Sequence, residues 1–317
     1  MLEEIAAQDY SKILLTRDWS HGTFRQKKDS GLLELLSAPH GSLSFNAGER
    51  TTYRLWVHQN AQRHLQEIVG QYDAFLVFVH ENVRKSIGAT EILDGPQREF
   101  DIVLEEILDE KNGIPVERDT INTNREMSNT ISLNPRRWVR AFQKWHRENV
   151  IRFYQALMGH ETFHAQSNVV VTYHKEGGRM QGRVQKFYRE LIANVWEGYL
   201  LSQWLPRKGS PESKLLAELR LRFSFGKKKD STSLDVETHP EAPRFVGYYA
   251  TAMALRSIGE RGTVEYIKAL LHSPLRGQDD FERITRTFNI KDQEGNYLTY
   301  SSAVEAVKRL YEQTQPR

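Results

Sequence analysis

Gln155-Ala-Leu-Met-Gly-His-Glu-Thr-Phe-His-Ala165 is the stretch on which the reading of this chain turns. It lies inside Val150–Gln166, a run whose length and apolar spacing predict a helix. Side chains four apart on a helix leave the same face. The imidazoles of His160 and His164 therefore sit one turn apart, close enough to hold a single cation. Glu161, beside the first of them, can take a proton from water activated at such a cation. The plainer reading is a buried helix whose two histidines are only hydrogen-bonded.

The chain has 317 residues, with 44 Lys plus Arg, 41 Asp plus Glu, 11 His and no cysteine. Without thiolates there are no disulfides, Cys zinc fingers, iron–sulfur clusters or Cys nucleophiles, and any metal must be held by His and carboxylates. Hydrophobic residues at 39% and aromatics at 10% suffice for a packed core. A net charge of +3 excludes a chain-wide basic surface, so a site for nucleic acid would have to be local. Met-Leu-Glu-Glu-Ile at the N-terminus lacks the basic and apolar regions of a secretory signal. No window nears about 18 uninterrupted apolar residues. The expectation is a cytoplasmic protein that makes no membrane contact, with signal-less export by a dedicated machine as the alternative.

A catalytic zinc commonly takes three protein ligands and keeps a fourth position open. A third histidine six residues after the second would fall on Val170, and the glycine expected before it on Ser167, so that arrangement is absent. The next helical run, Gln185–Leu205, offers Glu190 and Glu197. Glu190 opens Glu-x-x-Ala-Asn, in which the small Ala193 permits close helix approach and Asn194 can hydrogen-bond a ligand histidine. Glu197, two turns on and on the same face, is the fallback ligand.

Outward from these helices the pattern changes. Residues 1–40 read as short helices around Ile13, Leu14, Leu15, Leu32, Leu33, Leu35 and Leu36. Ser42–Asn46, Thr51–His58, Asp73–Val79, Glu99–Leu104 and Asn129–Leu133 are aromatic or β-branched runs of strand length. Gln59–Val69 and Glu105–Glu110 look helical. After Pro135 strand signals nearly vanish. Pro206–Ser213 reads as a linker, Gly226–Pro243 as a loop, and about 244–311 as helix again. The expectation is an α+β protein: a small mixed sheet with an active-site helix, followed by a mostly helical C-terminal subdomain. Its parts are a helical extension 1–40, a sheet-containing lobe 41–205 and a helical subdomain 206–317.

The run Gly159-His-Glu-Thr-Phe-His-Ala165, followed by Glu190-x-x-Ala193, resembles the gluzincins, the thermolysin-like and aminopeptidase-N-like superfamily of zinc metallopeptidases. The resemblance covers roughly residues 129–290 and implies a zincin-like fold. It implies Zn2+ on His160, His164 and Glu190, with Glu161 as general base and a protein or peptide as substrate. Asn129–Asn134 resembles the family's edge strand, which binds extended substrate backbone by strand addition. Gly247-Tyr-Tyr-Ala-Thr-Ala-Met-Ala-Leu-Arg256 resembles the helix that carries an oxyanion-donating tyrosine. That role falls on Tyr249, with Tyr248 as the alternative. The Gly-x-Met-Glu-Asn exopeptidase motif is absent, which leaves endo- and exopeptidase action open.

One rival function has its own residues. Arg136, Arg137 and Arg140, with Lys144 and Arg147, surround Trp138, Phe142 and Trp145, an interleaving suited to weak nucleic-acid contact. Their plainer reading is the solvated face of an amphipathic helix. A regulatory protein that keeps a zincin scaffold, or a zinc amidohydrolase acting on a non-peptide substrate, is the other alternative.

Overall fold

The computed structural model describes residues 23–26, 33–36, 43–57, 82–93, 98–104, 108–111, 114–117, 121–123, 130–133, 152, 154–164, 179–205, 208–225, 241–273 and 277–314. Gln59–Val69, Asp73–Val79, the Arg136–Arg147 segment and most of Gly226–Pro243 lie outside the described residues. The chain divides into two compact units, Met1–Asn168 and Val169–Arg317. It is α+β, and among the described residues every strand lies in the first unit.

The first unit is organised by a five-stranded mixed sheet. Its strands are β3 (Leu43–Asn46), β4 (Thr51–Val57), β5 (Arg98–Leu104), β8 (Ile121–Thr123) and β9 (Thr130–Leu133), in the order β3-β4-β5-β9-β8. β4, β5 and β9 run parallel, and the outer pairs β3–β4 and β8–β9 are antiparallel. Register places Tyr53 opposite Phe100, and Ile102 opposite Ile131. Alternation sends Tyr53, Phe100, Ile102, Ile131 and Leu133 to one face, where all are at most 1% exposed. The other face carries the cross-strand pair Arg54–Asp101, whose guanidinium donates two hydrogen bonds at 2.7 and 2.9 Å.

Parallel strands need a crossover, and α1 (82–89) lies within the β4-to-β5 connection. It runs into a 3-10 turn, Thr90–Leu93, and buries Val83, Ile87 and Leu93. The helix of the His-Glu-Thr-Phe-His motif, α2 (154–164), is tied to it: Ser86 Oγ donates to the Gln155 carbonyl at 2.8 Å.

Three features differ from the sequence expectation. Residues 23–36, expected as helix, contain the antiparallel pair β1 (Thr23–Gln26) and β2 (Leu33–Leu36). Of Glu105–Glu110, also expected as helix, residues 108–110 belong to β6 (Leu108–Lys111), which pairs with β7 (Ile114–Glu117). The third concerns β9. It is bonded to β5 on one side and β8 on the other, so it is an interior strand whose ladder groups are already used. Three-residue β8, Ile-Asn-Thr, is too short to register as a strand from sequence.

The second unit is helical. α3 (Arg179–Trp204) is buried almost all round from Leu191 to Ser202, as befits a central helix. It packs most extensively along α5 (Ala242–His272), and α4 (Pro211–Phe225) packs on both. α4 starts where a linker was expected: Ser210 Oγ accepts the Ser213 amide at 3.2 Å, and Pro211 occupies the first turn, where its missing N–H costs nothing. α5 is two helices joined at Gly259, whose φ of 67° and ψ of −177° break the helical path. α6 (Gln278–Thr287) and α7 (Tyr300–Gln313) complete the unit, the latter opened by a Thr299–Ser302 capping box.

Candidate metal centre

α2 presents almost nothing to solvent. Tyr154, Ala156, Met158, His160, Thr162, Phe163 and His164 are all buried, while Leu157 and Glu161 form a half-buried stripe one turn apart. Glu161 is thus the acidic group of the motif that solvent reaches. Thr162 donates to the Met158 carbonyl at 2.7 Å and spends its hydroxyl inside the helix.

His160 and His164 are 4% and 8% exposed. Their rings meet edge to face at 4.6 Å, with 3.0 Å between the two Nε2 atoms. That separation allows a hydrogen bond if one Nε2 carries a proton. It also falls short of twice a Zn–N bond of about 2.0–2.1 Å, so one cation can reach both nitrogens. Two ligands of a regular tetrahedral site stand about 3.3 Å apart, so only a few tenths of an ångström separate the pair from that spacing.

Glu190 lies on α3 and is half-buried. One ligand atom each from His160, His164 and Glu190 fall within 4.8 Å of one another. Among the described residues, no other set of three His, Asp or Glu side chains shares that spacing. Two imidazole nitrogens and one carboxylate oxygen form the donor set of an open catalytic zinc site. The residues present therefore fit the metal.

Glu197, the fallback ligand, is committed elsewhere. It is fully buried, accepts the Tyr248 hydroxyl on Oε1 at 2.6 Å, and faces Arg244 Nε across 3.6 Å with Oε2. Arg244 also pairs with Glu241. Arg222 lies over the Tyr248 ring at 5.0 Å and bonds Glu218 at 3.2 Å. Burial pushes the Tyr248 hydroxyl well above its ordinary value, so it remains a donor. The sequence carried no signal for this cluster, since 51 residues separate Tyr248 from Glu197.

Tyr249, beside it, is 1% exposed. Burial raises its hydroxyl to about 12, and the groups acting on it are Asp292, the Gln293 backbone, Arg309 and Glu294, all from the turn and helix at the C-terminal end. Asn194 donates from Nδ2 to the Glu190 carbonyl at 2.6 Å, bonding within its own helix. Arg136, Arg137 and Arg140 lie outside the described residues. No helix among the described residues is long and apolar enough to cross a membrane. Compared with known proteins, the chain matches no family model, no curated protein and no solved structure.

Proposed function

We propose that this protein is a zinc-dependent metallopeptidase of gluzincin type, with a zincin-like fold. One observation carries the reading: His160, His164 and Glu190 bring three ligand atoms within 4.8 Å of one another. His160, His164 and Glu190 would hold the metal and leave a further position open to water or substrate. When bound, zinc polarises a peptide carbonyl and lowers the pKa of a coordinated water toward about 7. Glu161 takes one proton from the attacking water onto its carboxylate and passes it to the departing amine nitrogen as the C–N bond breaks. Its half-buried position beside the two histidines suits a group that must both meet water and stay near the reacting carbon. No step is assigned to Tyr248 or Tyr249, whose hydroxyls are engaged with Glu197 and with the Asp292 turn.

The test is metal content and affinity. Wild type should bind about one equivalent of Zn2+ with all three ligands engaged. The His160→Ala/His164→Ala pair should bind none, and Glu190→Ala should bind weakly. Equal zinc in wild type and the double variant would falsify the proposal.

A further inference from the structure

Immediately after Glu190, α3 is gripped by one face of α5. A Cβ on Gly247 would stand 2.7 Å from Asn194 Cβ and 3.0 Å from both the Asn194 carbonyl carbon and the Leu191 oxygen. Only a hydrogen fits there, so the two backbones touch. One turn on, the buried Thr251 hydroxyl reaches across to the Val195 carbonyl at 2.9 Å, while lying 2.8 Å from its own Gly247 carbonyl. A Cβ on Gly198 would meet Thr251 Oγ1 at 3.1 Å and Tyr248 Cδ1 at 3.3 Å. Tyr248 completes the grip through Glu197. These contacts touch α3 at 191, 194, 195, 197 and 198, all within eight residues of Glu190, and a continuous helix transmits rotation and translation over that length.

We infer that the Gly247–Tyr248–Thr251 face of α5 is a positioning clamp for the Glu190 carboxylate. It fixes the rotation of α3 that aims Glu190, and through Tyr248 and Arg244 it holds Glu197, the other carboxylate on that face, in bonds of its own. The inference rests on the assignment of His160, His164 and Glu190 as zinc ligands. Gly247, Tyr248 and Thr251 touch neither metal nor substrate in this scheme. They act through Glu190.

Thr251→Val keeps shape and removes the bond to Val195, whereas Thr251→Ser restores the hydroxyl. Gly247→Ala forces the backbones apart, and Tyr248→Phe releases Glu197. Zn2+ affinity is read by competition with a chromogenic chelator, and ligand geometry by the visible absorption of the Co2+-substituted protein. Helical content by circular dichroism confirms that each variant is folded. Thr251→Val and Gly247→Ala should weaken Zn2+ binding about 10- to 100-fold, the range for groups that orient metal ligands. They should also alter the Co2+ band shape, which a loss of stability alone leaves unchanged. Thr251→Ser should return both to wild type. Wild-type affinity and spectrum in Thr251→Val overturn the clamp while leaving the ligand assignment intact, and this pair decides the matter if Gly247→Ala does not fold. A wild-type protein that binds Zn2+ no better than its His160→Ala/His164→Ala variant overturns the ligand assignment, and the clamp with it.

Discussion

Tyr248 donates its phenolic proton to Glu197 across 2.6 Å, in a seam where both side chains are fully buried. Arg244 faces the other oxygen of the same carboxylate, so one buried charge is met by a cation and a neutral donor. Removing Glu197 would leave Arg244 without its innermost counter-charge. Glu197→Ala should cost about 3–5 kcal/mol in denaturant unfolding, as for other broken buried pairs. Tyr248→Phe should cost about 1.5–3 kcal/mol, the range for hydrogen bonds to charged groups. A double-mutant cycle that shows no coupling between the two positions would contradict the bond.

The same burial sets a limit at alkaline pH. Tyr249 is raised to about 12, and Tyr188, Tyr248 and Tyr266 are also raised, each chiefly by burial. A tyrosine with a raised folded pKa contributes stability that is whole below the unfolded value of about 10 and is lost as pH climbs toward the folded value. For Tyr249 the loss between pH 10 and 12 is on the order of 2–3 kcal/mol. Tyr249→Phe should therefore flatten the fall in stability over that window. An unchanged alkaline slope would show that its hydroxyl is not held this way.

At the acid end the group to watch in the first unit is Glu91. Burial pushes its carboxyl up, but the Arg50 amide, the Thr51 hydroxyl and the Glu49 amide outweigh that, and the net shift is downward. The amides donate at 2.7 and 3.1 Å, which pins the β3–β4 turn onto the 3-10 turn that follows α1. A depressed carboxylate contributes stability above its unfolded pKa of about 4.3, and that contribution disappears as pH falls through the folded value. Glu91→Gln should lower stability at neutral pH and leave it less dependent on pH below about 4.3. Parallel acid-unfolding curves for the two proteins would rule this out.

Much of this architecture could be read along the chain, and the misses share a cause. β4, β5 and β9 stood out because one-sided burial leaves a period-two trace in Tyr53, Phe100, Ile102, Ile131 and Leu133. β6 left none, since Leu-Asp-Glu-Lys pairs only with β7 and holds one apolar residue. The His160–Glu161–His164 set was legible because its geometry is local, fixed by one helical turn. Glu190 stands before Glu197 only through its Glu-x-x-Ala setting, since helix geometry puts both on one face. What separates them is Tyr248 and Arg244, more than 45 residues downstream, and no spacing rule reports which carboxylate a distant tyrosine will occupy.

Gly259 offers a sharper contrast than most glycines. Its φ of 67° with ψ of −177° is a region open essentially to glycine alone, although no atom lies within 4 Å of where a Cβ would go. Gly277 also has open space around it, but its φ of 179° is extended backbone that any residue adopts. Gly259→Ala should cost about 1–3 kcal/mol and Gly277→Ala well under 1 kcal/mol. Equal effects in urea unfolding would mean that α5 does not break at Gly259.

Under the proposed peptidase function, Glu161 is the residue at which catalysis can be separated from metal holding. His160 and His164 are buried on α2, whereas Glu161 is half-buried beside them, so a change at Glu161 can leave the donor nitrogens where they are. Glu161→Gln keeps the side chain's length and its capacity to hydrogen-bond water, and removes only its ability to accept and return a proton. Zn2+ content should stay at the wild-type level while kcat for a peptide substrate falls about 10²- to 10⁴-fold, the usual contribution of a positioned base. KM should change little, because the carboxylate's part is played as the proton moves rather than when substrate binds. A Glu161→Gln protein that cleaves peptide at the wild-type rate would show that the base lies elsewhere, whatever metal the histidines hold.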